Sequence, residues 1–175
     1  MPSYVSGFSN AAEAAILDNA TVGLGRTLYL YLFKWTGTAG QGNTASMGDD
    51  GTRGTSMSLI TADGPKTVAS SDWASAVAGN PTTKSLSPAS PISFTNASVA
   101  LGEVCWWALS TTSGATITSD ATWDSNKAAM VAHGPITDGS GNQTSVTVAA
   151  GETFQFSSTA PIKMQLGDPG VDTFS

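Results

Sequence analysis

The sequence predicts a mainly all-β protein: an antiparallel β-sandwich, jelly-roll-like, with a short N-terminal helix and long loop insertions. Three observations carry this expectation. Residues Thr144–Val148, Glu152–Ser157 and Ile162–Leu166 each alternate polar and apolar side chains, the period of a strand with one buried and one wet face. Ser and Thr supply 46 of the 175 residues and Gly another 19, a mixture that suits strand exteriors and turns better than helix surfaces. Short apolar runs recur through the second half between turn signals, as a multi-stranded sandwich requires.

Asn10–Asp18 opens the chain as an alanine-rich helix, spanning about 10–19, in which Asn10 caps and Glu13 reaches back. Gly23 and Gly25 interrupt it before Thr27–Phe33. There Leu28, Leu30 and Leu32 line one face and Tyr29, Tyr31 and Phe33 the other, so this strand belongs at the centre of a sheet covered twice. An irregular insertion follows over 36–90. Within it Thr36–Gly54 reads as a loop and Met57–Ile60 as a short strand. Asp72–Ala78 reads as a two-turn helix stopped by Gly79.

The strand-rich half spans 91–166: Ile92–Thr95, Glu103–Leu109, Ala129–His133, Thr144–Val148, Glu152–Phe156 and Ile162–Leu166. Ala149–Gly151 is short enough to join its neighbours as a hairpin, with Gly151 at positive φ. Residues 111–127 form a polar excursion carrying Trp123, 138–142 a turn cluster, and 167–175 a C-terminal tail. The whole of 1–175 reads as one domain, long enough to bury roughly 70% of its unfolded surface.

Charge and motif content narrow the function. The net charge is −6. The seven basic residues, Arg26, Lys34, Arg53, Lys66, Lys84, Lys127 and Lys163, are scattered singly, so no stripe follows a phosphate backbone and no nucleic-acid partner is expected. No run approaches the ~20 apolar residues of a membrane helix, and no basic region precedes an apolar run at the N-terminus, so no membrane partner is expected. Cys105 is the only cysteine and sits in the apolar run Val104–Leu109, where it reads as a small buried hydrophobe.

His133 has no second histidine or cysteine cluster to complete a zinc site. Asp49 and Asp50 lack the spacing of a calcium loop and read as a solvated turn. Asp120 and Asp124 have nothing nearby to raise one pKa, and no nucleophile elbow is present. No catalytic residue, metal ligand or cofactor is therefore assigned, and the chain is not expected to be an enzyme.

The aromatics point instead to contact with protein. Trp106 and Trp107 are adjacent in a strand and face opposite ways. Trp73 and Trp123 sit in the irregular excursions, where each either pins its own loop or anchors an interface. Trp73, Trp107 and Trp123, with Met57 and Leu59 of the insertion, are the candidate interface residues.

Two ordered blocks resemble a class of small tailed-bacteriophage virion proteins of the capsid decoration (cement) or tail-fibre-like β-sandwich type. The first is the helix Asn10–Asp18 followed by Thr27–Phe33. The second is Pro91–Phe94, Gly102–Leu109, His133–Thr137 and the closing Val146–Phe156. They span roughly half the chain. The resemblance implies a structural protein on the outer capsid surface of a virion, made in the host cytoplasm. It would bind the major capsid protein, and itself as a homo-oligomer (dimer or trimer). A tail-tip or tail-fibre-associated receptor- or glycan-binding module is the alternative. Residues 36–90 and 111–127 look expanded relative to compact members, and loops are where attachment surfaces change.

Overall fold

Two strands apolar on both faces lie side by side at the centre. In a computed structural model of the chain, the described residues are 15–16, 18–19, 27–77, 82–88, 90–157 and 161–166. The strands are β1 (Leu28–Trp35), β2 (Met57–Leu59), β3 (Lys66–Val68), β4 (Thr82–Leu86), β5 (Ile92–Thr95), β6 (Gly102–Ser110), β7 (Met130–Thr137), β8 (Gln143–Thr144), β9 (Val146–Val148), β10 (Thr153–Phe156) and β11 (Ile162–Leu166). One helix, α1 (Asp120–Asn126), falls between β6 and β7. The protein is mainly β with antiparallel pairing. The described residues divide between two compact units, one from 27–68 and 92–155 and the other from those described within 15–19, 69–91 and 156–166.

In the larger unit, seven strands form one sheet in which β6 lies between β1 on one side and β7 and β9 on the other. The far edge of β1 takes β2 at Phe33–Trp35 and β3 at Leu28–Leu30. Val104 to Ser110 of β6 are all buried, and Leu28, Leu30 and Leu32 of β1 are at most 2% exposed. The expected double cover of β1 is therefore present. On the aromatic face, Tyr31 and Phe33 stand opposite Ala108 and Trp106 and share a core with Met47, Met57, Leu59, Ile117 and Trp123.

The helix over this face lies in the stretch expected to be an irregular excursion. Ser119 caps it, accepting from Thr122 N–H, while Thr122 Oγ1 accepts from Ser119 N–H. Trp123 then points edge-on at Phe33, with ring centroids 4.9 Å apart, and tilts against Tyr31. β5 and β10 pair separately as a two-stranded sheet. Ala149–Gly151, expected to close a hairpin, instead carries the chain from β9 in the large sheet to β10 in the small one. Gly151 makes the turn at φ 82° and donates to Asn96 C=O. Among the described residues the pairings are thus one seven-stranded and two two-stranded sheets.

In the smaller unit, β4 pairs with β11 along their full length. The helix expected over 72–78 is replaced by a 3-10 turn, Ser70–Asp72, and an extended segment bridged to β4 at Trp73 and Val77. Its amides are spent on β4: Ala74 N–H donates to Ser85 and Val77 N–H to Thr83. Strand pairing thereby outcompetes a marginal two-turn helix. Lys84, 3% exposed, is held by Asp18 and by Ala74 C=O. Ala15, Ile16 and Asp18 are helical as expected; the rest of 10–19, and the tail 167–175, lie outside the described residues.

Replacing Trp123 by Ala removes the largest fully buried side chain over β1. It is expected to cost about 3–5 kcal/mol, read as a lowered denaturant midpoint at unchanged m.

Candidate interaction site

Charged residues are scarce here, so where each one goes is informative. Glu103 is the only charged residue between Lys84 and Asp120. Its carboxylate, at the start of β6, accepts from Gly40 N–H at 2.9 Å, Gly42 N–H at 2.6 Å and Ser145 Oγ at 2.7 Å. Burial works against that charge, but the hydroxyl and the two amides more than offset it and hold the carboxyl below its ordinary range. Gly42 has to be glycine: a Cβ there would sit 2.5 Å from the Glu103 oxygen and 2.6 Å from Ser145 Cβ. From the other side, Trp35 Nε1 donates to Thr38 C=O at 2.8 Å. Thr36 to Gln41 is thereby fixed, exposed and uncharged.

A second clasp holds residues 48–57 against α1. Arg53 donates to both Asp124 oxygens at 3.2 and 2.8 Å, lies 3.4 Å from Asp120, and donates to Met57 C=O at 2.6 Å. Asp120 accepts from Leu59 N–H and Ser58 Oγ. Lys127 bonds Asp50 and Thr52 Oγ1, and Trp123 Nε1 donates to Gly51 C=O at 3.0 Å. The Thr52 hydroxyl and amide, then Lys127, bring Asp50 down to about 2. Residues 36–42 and 48–57 therefore form a braced surface, at low ordering cost on binding.

The five candidate interface side chains do not lie on it. Trp123 is 0% exposed, Met57 2%, Leu59 5%, Trp107 6% and Trp73 8%. As surface anchors they are corrected. Met57, Leu59 and Trp123 belong to the aromatic core, because β2 pairs with β1 in a register that turns both β2 side chains inward. Trp107 packs against Gly134, where a Cβ would be 3.0 Å from its ring. Trp73 is buried beside its bridge to Leu86. The residues that shape the surface, Trp35, Arg53 and Glu103, carry weaker sequence signals. The clearest is Glu103, a lone charge inside an apolar strand.

Burial shifts the titratable groups near the core. Burial, with Tyr29 adding to it, pushes Tyr31 up to about 12, and its hydroxyl donates to Thr112 C=O. Burial, with the charge of Glu103, pushes Cys105 up to about 12. Burial lowers His133 against the opposing charge of Asp49, and His133 Nδ1 accepts from Trp106 Nε1 at 3.2 Å, which places the neutral ring's proton on Nε2. A cavity of about 120 Å³ is lined by Tyr31, Leu59, Ile60, Pro65 and Ile117. Among the described residues no group of three His, Cys, Asp or Glu is placed to hold a metal ion, and no helix is long and apolar enough to cross a membrane. No protein-family model, curated protein or solved structure matches the chain.

Two outcomes are expected. Glu103→Gln replaces a charged acceptor with a neutral one, so the amides of Gly40 and Gly42 should exchange about tenfold faster than in the parent chain. Because Asp50 is lowered from 3.8 to about 2, its bonds are fully present above pH 3.8 and are lost as pH falls toward 2. Thr52 amide protection should follow that window in an acid titration followed by NMR. Protection unchanged at pH 2 contradicts the clasp.

Proposed function

We propose that the chain is a structural virion protein of a tailed bacteriophage that decorates or cements the outer capsid surface. In this reading it binds the major capsid protein as a symmetric homo-oligomer after synthesis in the host cytoplasm. The resemblance of the ordered motifs suggests the class. The observation that carries the reading is the braced, exposed, uncharged stretch Thr36–Gln41, fixed by Glu103 and Trp35. A preformed loop binds a protein surface without paying for its own ordering, and symmetric repetition multiplies a modest contact into avidity. No catalytic role is assigned in this reading.

The tail-tip alternative draws on an exposed tryptophan that stacks on a sugar. Trp73 and Trp123 are buried, and this reading takes second place.

Cryo-electron microscopy of the intact particle tests the proposal. Density for this chain is expected at every equivalent position of the outer shell, with residues 36–56 against the capsid protein. A few copies confined to the tail reject it.

A further inference from the structure

His133 is the chain's one histidine, the side chain type whose ordinary range lets it change charge between pH 5 and 8. It stands on β7 opposite Ala108, on the aromatic face of the large sheet. Its ring stacks on the Trp106 indole with centroids 6.0 Å apart, and Nδ1 accepts the indole N–H at 3.2 Å. Trp106 is buried, and among the described residues its N–H has no other acceptor. The seating of a core tryptophan therefore rests on a nitrogen that a proton can occupy.

Nδ1 serves this purpose only while the ring is neutral. An imidazolium carries N–H on both nitrogens and accepts nothing, so protonation sets two donors against each other in a buried contact. Where the ring turns then depends on the charges around it. On β6 it meets Trp106 and Ala108, with Tyr31 beyond them held neutral by burial. β7 contains no Lys, Arg, Asp or Glu, and β8 brings Gln143 and Thr144. The exception is the turn 48–52. Its Gly51 rests on the head of β7, where a Cβ would be 3.2 Å from Met130 Sδ. Asp50 of that turn is spent on Lys127 and Thr52. Its neighbour Asp49 is the charge that acts on His133.

The hydrogen bonds single out the same residue independently. Every other described carboxylate accepts a hydrogen bond or joins an ion pair. Asp49 is exposed and, among the described residues, does neither. The second ring nitrogen of His133, Nε2, likewise donates to no described group.

We propose that His133 and Asp49 form an acid-operated latch: the neutral ring seats Trp106, and the protonated ring releases the indole and pairs with Asp49, tying the turn 48–52 to β7. Burial holds His133 below its ordinary 6.5. The seat is thus complete above pH 6.5 and is lost as pH falls through the lower folded value. That window lies well above the one in which Asp50, lowered to about 2, gives up its own bonds. The turn belongs to the braced surface, so the latch makes that surface responsive to mild acid. It goes beyond the proposed attachment and needs no capsid.

NMR of the full chain between pH 7.5 and 5 tests it. Protection of the Trp106 indole N–H, corrected for intrinsic exchange, is expected to fall about tenfold with the midpoint of the His133 ring. The Asp49 carboxyl carbon is expected to shift at that same midpoint. In His133→Gln, which cannot titrate, both signals should stay level. Asp49→Asn is expected to lower the His133 midpoint, an about threefold loss of proton affinity. An indole that keeps its protection through the His133 titration overturns the latch, as does an Asp49 carbon that stays still or a fall that survives in His133→Gln. Should His133→Gln fail to fold, Asp49→Asn, which removes an exposed side chain, decides: an unmoved His133 midpoint overturns the pairing.

Discussion

Everything in the larger unit follows from two adjacent strands that are apolar on both faces. A sheet with one such face buries it against a single layer; β1 and β6 demand cover on each side. Toward the aromatic face that cover is improvised from short pieces: a seven-residue helix, a 3-10 turn at Gly42–Thr44 and the buried tips of a long loop. None would hold its shape alone. Trp123 unites them, since its ring packs against Phe33 and Tyr31 while its N–H holds Gly51 of the loop.

The few charges serve the same end. Arg53, Lys66, Lys84 and Lys127 all sit in ion pairs, and Glu103 is spent on two amides and a hydroxyl. Exposed pairs contribute little individually. All but the Lys66–Asp63 pair act between segments far apart in sequence, such as Arg53 with Asp124 and Lys127 with Asp50, and select one loop path among many. A surface rich in Ser, Thr and Gly gains its definition from these clasps.

The strands were legible in the sequence because their period of two is set by burial, which each residue reports for itself. β1, β2, β5, β6, β7, β10 and β11 lie within a few residues of their sequence-read bounds, the single strand read over Thr144–Val148 divides into β8 and β9, and β3 and β4 escape the pattern. Pairing was less legible: Ala149–Gly151 has the length and glycine of a hairpin, and only the register of β9 with β6 shows where the chain goes. α1 was missed because a short helix with one apolar side chain has no periodicity to read. The segment 72–78 looked helical because its acidic start and glycine stop are real local signals, overridden by pairing with β4. Trp73 and Trp123 read as interface candidates because their segments are polar, a pattern that does not reveal that both side chains are buried. Glu103 and Arg53 act through partners 42 to 71 positions away, a distance no local pattern encodes.

The side-chain plug at β2 has a consequence for assembly. A strand margin that already has its hydrogen-bonding partners cannot recruit a stranger. Arg53 and Asp120 thereby act as a terminator along β2, closing that stretch of the sheet to edge-to-edge aggregation.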